Sequence, residues 1–144
     1  MPAERISIHI TVDWTRLKNG SSEPYKWGDG KINSVDPNWS KSNVIYRWIK
    51  NSTKKIAVVG ETDRTLSERV NNYISAKLGS SAGSTNKKVF EEQLKLQKNG
   101  DFLYLEFTDD VPGFNLDKRN ERKFAEGLLT AYYKPYLLLR GSSL

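Results

Sequence analysis

The chain of 144 residues has the length of one domain, with a formal net charge of +6, 37% hydrophobic residues and 28% charged residues. It has no cysteine, which excludes disulfide frameworks, thiolate catalysis and cysteine-ligated zinc. No apolar run approaches the roughly 18 residues of a membrane span, and the first residues lack the layout of a signal peptide. We therefore expect one globular domain over residues 1–144, located in the cytoplasm, without a membrane partner and able to bind a polyanion.

The first part of the chain predicts one strand and one long loop. Over residues 6–14, apolar side chains alternate with polar or small ones, which is typical of a half-buried strand. The lone His9 falls on the opposite face and is interpreted as structural. Residues 18–42 show no periodicity, and their tryptophans, Trp27 and Trp39, indicate an ordered loop because exposed tryptophan is costly. Residues 1–42 are interpreted as an N-terminal extension of the domain.

The middle of the chain predicts an antiparallel hairpin. Residues 43–50 and 54–60 both alternate at the period of a strand, and a turn at residues 51–53 joins them. A third strand is expected over residues 102–107. The predicted sheet is therefore small, three-stranded and antiparallel, with the N-terminal strand as an addition.

Three helices are expected to flank this sheet, which makes the fold class α/β. Thr65 and Glu68 have the spacing of a capping box, and apolar residues then recur at helical spacing until Gly79. A second helix is expected over residues 85–98 and a last one over residues 117–134. Their apolar positions are Val89, Phe90, Leu94, Phe124, Ala125, Leu128, Leu129 and Tyr132.

Four short motifs, in this order, resemble the GIY-YIG nuclease superfamily. Val-Ile-Tyr at residues 44–46 lies where the family has Gly-Ile-Tyr, and Val-Val-Gly at residues 58–60 lies where it has Tyr-Ile-Gly. Arg69 is similar to the arginine of the family's first helix, and Glu126 to the glutamate of its closing helix. The resemblance is closest to small restriction-type and repair-type members and covers residues 43–135, about two-thirds of the chain, as a GIY-YIG-like core.

The resemblance implies a metal-dependent DNA endonuclease that hydrolyses phosphodiester bonds. Tyr46 would act as general base or position the attacking water, and Arg69 would lower the pKa of Tyr46 or clamp the phosphate. Tyr73 follows Arg69 by four residues, on the same helix face, and would donate to the phosphate. Glu126 would hold Mg²⁺ or Mn²⁺, since a carboxylate among apolar helix residues is costly unless paired or metal-bound. These side chains should converge on one concave site, and a homodimer is implied if both DNA strands are cut.

Two positions depart from the family pattern. Val58 replaces the first tyrosine of Tyr-Ile-Gly, and Leu138 stands where members often have an asparagine after the closing helix. A catalytically impaired nucleic-acid-binding module of the same fold is therefore the alternative function. A plain structural α/β domain with chance motif matches is a third interpretation. By residue type alone, the proposed site side chains are also compatible with core aromatics and exposed helix charges.

Basic residues suited to a DNA backbone are spread over the core. They are Lys54, Arg64, Lys87, Lys88, Arg119 and Arg122. Lysine and arginine contacts to phosphate dominate DNA affinity, so DNA is the expected partner, although solvated helix faces also explain each cluster. Asp109 and Asp110 precede a Pro-Gly turn and are interpreted as turn residues rather than a metal pair.

Overall fold

The computed structural model describes residues 2–19, 23–25, 36–75 and 84–137. Its strands are β1 (Thr15–Arg16), β2 (Lys18–Asn19), β3 (Glu23–Pro24), β4 (Val44–Lys50), β5 (Ile56–Thr62) and β6 (Leu103–Thr108). Its helices are a 3₁₀ helix (Pro37–Ser40), α1 (Leu66–Ser75), α2 (Ser84–Gln97) and α3 (Arg119–Tyr133). The predictions that concern Trp27, Gly79 and Leu138 lie outside the described residues.

Four strands form one antiparallel sheet in the order β1-β6-β4-β5, while β2 and β3 pair separately. This arrangement confirms a small α/β fold built on an antiparallel core of β4, β5 and β6. The three core strands begin and end within two residues of their predicted bounds. Period-2 alternation and a short turn located them because both are local properties of the chain.

The N-terminal strand differs from its prediction. Residues 2–14, called here the N-terminal segment, form no regular secondary structure, and only Thr15–Arg16 pairs with the sheet, against β6. The predicted strand over residues 6–14 is therefore wrong. Its alternation has another cause. Ile10, Val12 and Trp14 are partly buried and pack against a small hydrophobic cluster that includes Ala125 and Leu129 of α3. Burial of every second side chain needs an extended backbone but no strand partner.

The helices α1 and α2 cover one face of the sheet, called here the front. Val44, Tyr46 and Trp48 share this face because side chains alternate along β4, and they join the larger buried cluster with residues of α1 and α2. Thr65 and Glu68 cap α1 reciprocally. The Glu68 amide donates to Thr65 Oγ1 at 3.2 Å and the Thr65 amide donates to Glu68 Oε1 at 3.3 Å, which confirms the capping box.

The helix α3 and the N-terminal segment cover the opposite face, called here the back. The smaller buried cluster lies there and consists of Ile45, Val111, Leu116, Ala125 and Leu129. The prediction that Leu94 of α2 faces inward is wrong, because this residue is exposed, and the apolar Phe124 and Tyr132 of α3 are exposed as well. A helix packed along one side buries residues four apart, here Ala125 and Leu129, and leaves other apolar positions in solvent.

The loop after β1 is ordered in its described parts. Trp39, in the 3₁₀ helix, is buried against Tyr25 with ring centroids 5.1 Å apart, and its Nε1 donates to the Lys18 carbonyl at 2.7 Å. This agrees with the expectation that Trp39 anchors the loop. In the described part of the chain, no helix combines the length and apolar character needed to cross a bilayer.

Candidate active site

The ring of Tyr46 lies against Gly60 on the front of the sheet. The two residues are direct partners in the pairing of β4 with β5. A Cβ added to Gly60 would overlap Cζ and the hydroxyl oxygen of Tyr46 and would lie 2.9 Å from Cε1. Glycine is therefore what leaves room for this tyrosine. The two motifs that resemble the family meet here, side by side.

The hydroxyl group of Tyr46 joins Arg69 and Tyr73 of α1. Arg69 Nε donates to the Tyr46 hydroxyl oxygen at 3.0 Å, and the Tyr46 and Tyr73 hydroxyl oxygens are hydrogen-bonded at 2.7 Å. The Arg69 guanidinium also lies 4.1 Å from the centre of the Tyr73 ring. Residues four apart share a helix face, so α1 turns both side chains toward β4. Three of the expected site residues are thus in direct contact.

Asn86 of α2 is a further partner of Arg69. The Arg69 Nη2 atom donates to Asn86 Oδ1 at 3.2 Å, and Asn86 Nδ2 donates to the Asn72 carbonyl at 3.5 Å. Nothing in the sequence predicts this residue, because the contact arises only when α1 and α2 pack together. With Tyr46 on one side and Asn86 on the other, the guanidinium has a defined orientation.

Burial governs the protonation of the two tyrosines. Tyr46 and Tyr73 are 2% and 1% exposed. Burial, and then the neighbouring Tyr73, raise the pKa of Tyr46 well above its ordinary value, although Arg69 acts in the opposite direction. Burial also raises the pKa of Tyr73. Both hydroxyl groups are therefore neutral at physiological pH, and Tyr46 can donate or accept a hydrogen bond but is a poor proton acceptor.

Glu126 lies on α3, half-buried, on the helix that covers the back of the sheet. The helix packs against β5, which is the last strand in the sheet order. The Glu126 carboxylate interacts with the Glu61 backbone amide and with the positive charge of Arg69. Burial, and then the negative charge of Glu61, raise the pKa of Glu126 to about 6. The carboxylate is ionised at neutral pH, but at a cost that a bound cation would offset.

Glu61 is a second carboxylate at this position, which sequence reasoning missed. Burial alone would raise the pKa of Glu61, but hydrogen bonds from Arg122 and Lys123 lower it below its ordinary value. Arg122 Nε donates to Glu61 Oε2 at 2.6 Å and Lys123 Nζ donates to Oε1 at 3.1 Å. A charged residue directly after the glycine of Val-Val-Gly, in a strand with buried neighbours, is the signal that could have found it.

Arg122 was expected to bind DNA phosphates, but the structure places it in the interior of the protein. Its side chain is 4% exposed and is surrounded by acceptors. Besides Glu61, Nη1 donates to the Leu116 carbonyl at 2.9 Å and to Asn43 Oδ1 at 3.2 Å. A guanidinium enclosed in this way holds α3 to β5 and is poorly placed to reach a DNA backbone.

We expect Arg122→Ala to destabilise the protein by up to about 3–5 kcal/mol, because it leaves the partly buried Glu61 carboxylate with only the exposed Lys123 as a charged partner. Lys123→Ala is the matched control. It removes the other partner of Glu61, but the Lys123 side chain is 50% exposed, and exposed pairs contribute less than about 1 kcal/mol. Urea unfolding of both variants measures the difference. Equal losses of stability would show that Arg122 is no more than a surface charge.

Lys54 was also expected near DNA, and it lies away from the hydrogen-bonded group of Tyr46, Arg69 and Tyr73. It occupies the turn between β4 and β5 with a φ of 61°, and its Nζ donates to Asn51 Oδ1 at 3.1 Å. The same ammonium stands 5.2 Å from the centre of the Tyr104 ring. Tyr104 pairs with Ile49, which alternation places on the back of the sheet. Lys54 is therefore at the turn end of the hairpin and on the other side of the sheet from Tyr46.

The other expected DNA-binding residues are exposed. They are Arg64, Lys87, Lys88 and Arg119. Lys87 and Lys88 directly follow Asn86, the partner of Arg69, and therefore lie next to the hydrogen-bonded group that Arg69 forms. Arg64 lies in the connection between β5 and α1, and Arg119 is the first residue of α3.

Val58 lies where the family that the motifs resemble has a tyrosine. It is 3% exposed, pairs with Trp48 and belongs to the larger buried cluster. Trp48 in turn packs edge-on against Tyr73, with ring centroids 5.9 Å apart. The aromatic side chain beside Tyr73 is therefore Trp48 of β4, where the family's motif would place a tyrosine on β5. A tyrosine at residue 58 would overpack the core.

A cation at Glu126 would have few protein ligands. Among the described residues, no group of three or more histidine, aspartate or glutamate side chains is arranged to hold a metal. Mg²⁺ is commonly bound by one or two carboxylates together with phosphate oxygens and water. Glu126, with its raised pKa, supplies one such carboxylate, and Glu61 stands beside it.

Comparisons with protein-family models, with curated proteins and with solved structures found no match for this chain. The family expected from the motifs therefore stays a prediction. What supports a function is the hydrogen-bonded group of Tyr46, Arg69 and Tyr73, together with the half-buried Glu126, on which the charge of Arg69 acts.

Proposed function

We propose that this protein is a metal-dependent DNA endonuclease of the GIY-YIG type that hydrolyses phosphodiester bonds in the cytoplasm. One observation carries the proposal. Tyr46, on β4, is hydrogen-bonded to Arg69, on α1, and the charge of Arg69 acts on Glu126, on α3, a carboxylate whose pKa is raised by burial. Perturbed ionisable groups from distant parts of a chain cluster at functional sites more often than elsewhere.

Arg69 is the residue that binds the scissile phosphate. Its charge is stable, since the neighbouring tyrosines raise its pKa although burial alone would lower it. Arg69 Nε donates to Tyr46 and Nη2 donates to Asn86, and these two hydrogen bonds orient the guanidinium. Its remaining donors are available to a phosphate in the fork geometry that arginine uses for such anions. As negative charge grows on the phosphate oxygens, this fixed positive charge stabilises the transition state.

Tyr46 positions the attacking water. Because burial raises the pKa of Tyr46, its hydroxyl keeps its proton and serves as a hydrogen-bonding group rather than as a tyrosinate base. Arg69 donates to it, and Tyr73 is bonded to the same oxygen. The geometry of the hydroxyl is therefore determined by two partners before substrate binds, as preorganised catalysis requires.

Glu126 would hold the divalent ion, and the negative charge of Glu61 acts on the same carboxylate. Mg²⁺ or Mn²⁺ bound there supplies a water of lowered pKa and positive charge for the phosphate oxygens. The ionised form of Glu126 is costly in the free protein because of burial and the charge of Glu61, so cation binding is favoured at this position.

The central experiment is incubation with supercoiled, linear duplex, branched and single-stranded DNA in the presence of Mg²⁺ or Mn²⁺. We expect cleavage of at least one form. Tyr46→Phe keeps the ring against Gly60 but removes the hydroxyl, and we expect it to lower turnover by roughly 10²–10⁴-fold with little change in DNA affinity. Turnover equal to that of the wild type would show that Tyr46 is only a core aromatic.

DNA affinity should depend steeply on salt, because each phosphate neutralised by lysine or arginine releases a counterion. Four contacts, from Arg64, Lys87, Lys88 and Arg119, predict about a hundredfold loss of affinity between roughly 50 and 200 mM salt. The double variant Lys87→Ala, Lys88→Ala should reduce the slope of log K against log salt by about 2. Lys54→Ala, at the far end of the hairpin, is the control that should leave this slope unchanged. If the DNA affinity of the wild type does not change with salt, the net charge of +6 has no role in binding nucleic acid.

The second candidate function is a catalytically impaired nucleic-acid-binding module of the same fold. The observation that favours it is Val58, which is buried where the family's second tyrosine would stand. Salt-dependent DNA binding without cleavage of any DNA form, with either metal, would select this module over the enzyme.

A further inference from the structure

The back of the molecule carries an apolar surface beside the N-terminal segment. Two adjoining grooves run between this segment and α3, and both are lined by Ile8 and Leu128. Phe124 lines one groove and Tyr132 lines the other. Ile8, Phe124 and Tyr132 are 70%, 70% and 77% exposed. Large apolar side chains grouped around grooves, rather than scattered singly, mark a surface that binds another protein.

The N-terminal segment also has the side-chain pattern of a strand without a strand's partner. Apolar residues occupy every second position over residues 6–14, yet among the described residues this stretch belongs to no strand pair. An extended backbone with an open edge can accept a further strand through its amide and carbonyl groups. The alternation requires that the added strand place its own apolar side chains on the side that faces α3.

We infer that the N-terminal segment pairs antiparallel with the same segment of a second copy of this chain, forming a two-fold symmetric dimer. A two-fold axis at His9 satisfies the alternation. It places Ile6 opposite Val12 of the second copy and Ile8 opposite Ile10, so that apolar side chains meet in cross-strand pairs on the α3 side. The second strand then covers the grooves that expose Phe124 and Tyr132. This inference goes beyond the proposed DNA chemistry and does not depend on it.

Charge complementarity selects a second copy as the partner. The axis at His9 places Arg5 opposite Asp13 of the second copy, and symmetry repeats this pair, with both residues exposed on the solvent side. Residues 6–12 carry no formal charge when His9 is neutral, so two copies of a protein with a net charge of +6 meet there without repulsion. Moving the axis by one residue would place Asp13 opposite Ala3 or Ser7 and lose both ion pairs.

The absence of cysteine allows a direct test of this register. His9→Cys places two thiols opposite each other across the axis, with Cα atoms about 5 Å apart, which is within the range of a disulfide. We expect a covalent dimer on mild oxidation with oxidised glutathione. Ser7→Cys is the matched control, because its two thiols would lie about 14 Å apart and should not join. Equal crosslinking of both variants, or none of His9→Cys, would overturn the register.

Sedimentation velocity across a hundredfold range of protein concentration tests the dimer itself, without DNA. The wild type should reach twice the monomer mass, whereas Ile8→Asp should weaken association at least roughly tenfold, since it places a charge in the interface. Leu94→Asp, on the exposed side of α2, is the control and should remain dimeric. Arg5→Glu and Asp13→Arg should each weaken the dimer, and their combination should restore it. A wild type that stays monomeric throughout, or an equal effect of Leu94→Asp, refutes the dimer and leaves the nuclease proposal to its own cleavage assay.

Discussion

Glu126→Gln should abolish metal-dependent cleavage while leaving the fold and DNA binding intact. Glutamine keeps the shape of the side chain and an oxygen that can accept the Glu61 backbone amide, but it lacks the charge that Mg²⁺ needs. Loss of the metal's contribution to the transition state, several kcal/mol, corresponds to a loss of turnover of roughly a thousandfold or more. Turnover on the preferred DNA form and Kd for the same DNA, measured together, separate chemistry from binding.

The same variant should be more stable than the wild type at neutral pH. Folding raises the pKa of Glu126 from the 4.5 of an exposed glutamate to about 6, so the native state binds the extra proton between these values. Wild-type stability therefore falls as pH rises through this window, by at most about 2 kcal/mol, and Glu126→Gln should escape the loss. Cleavage by the wild type should decline as pH falls below about 6, where Glu126 becomes protonated.

Mg²⁺ provides a readout that is independent of activity. Added Mg²⁺ should raise the melting temperature of the wild type, because a cation that binds only the native state stabilises it, and should leave Glu126→Gln unchanged. If both proteins cut DNA equally, Glu126 has no part in the reaction. If both respond equally to Mg²⁺, the ion binds elsewhere.

Gly60→Ala should impair both stability and cleavage, although it adds a single methyl group. The new Cβ would occupy the space of the Tyr46 ring, so the tyrosine must move away from Arg69 and Tyr73. Overpacking of this kind costs about 1–3 kcal/mol, and a displacement of about 1 Å at a catalytic group can reduce turnover roughly a hundredfold. Urea unfolding and single-turnover cleavage measure the two losses.

Gly127→Ala is the matched control for this substitution. A Cβ at Gly127, on α3, would meet no heavy atom within 4 Å. Alanine is favoured over glycine in a helix interior by up to about 1 kcal/mol, so this variant should be slightly stabilised and fully active. If Gly60→Ala behaves like Gly127→Ala, the position of Tyr46 does not depend on the glycine opposite it.

The sequence by itself determined the local parts of this protein. Alternation over residues 43–50 and 54–60 placed Tyr46 and Gly60 in a hairpin, and the spacing of Thr65 and Glu68 located the start of α1. Each of these signals depends on neighbours within a few residues, where backbone geometry leaves few choices. The four-residue spacing of Arg69 and Tyr73 likewise sufficed to put both on one helix face.

Tertiary structure alone decided which side chains meet across the chain and which remain in solvent. Glu61 and Arg122 form their ion pair because α3 packs against the edge strand β5, and the sequence does not specify that edge. The alternation of the N-terminal segment is the same whether every second residue faces a sheet or α3, so it predicted a strand where there is none. Leu94 was predicted to face inward because an apolar residue type does not show which side of a helix is covered, and in the structure Leu94, Phe124 and Tyr132 are all exposed. Such contacts depend on how distant segments of the chain pack together. The spacing of apolar residues indicates which side chains are apolar, but it does not indicate which element covers them.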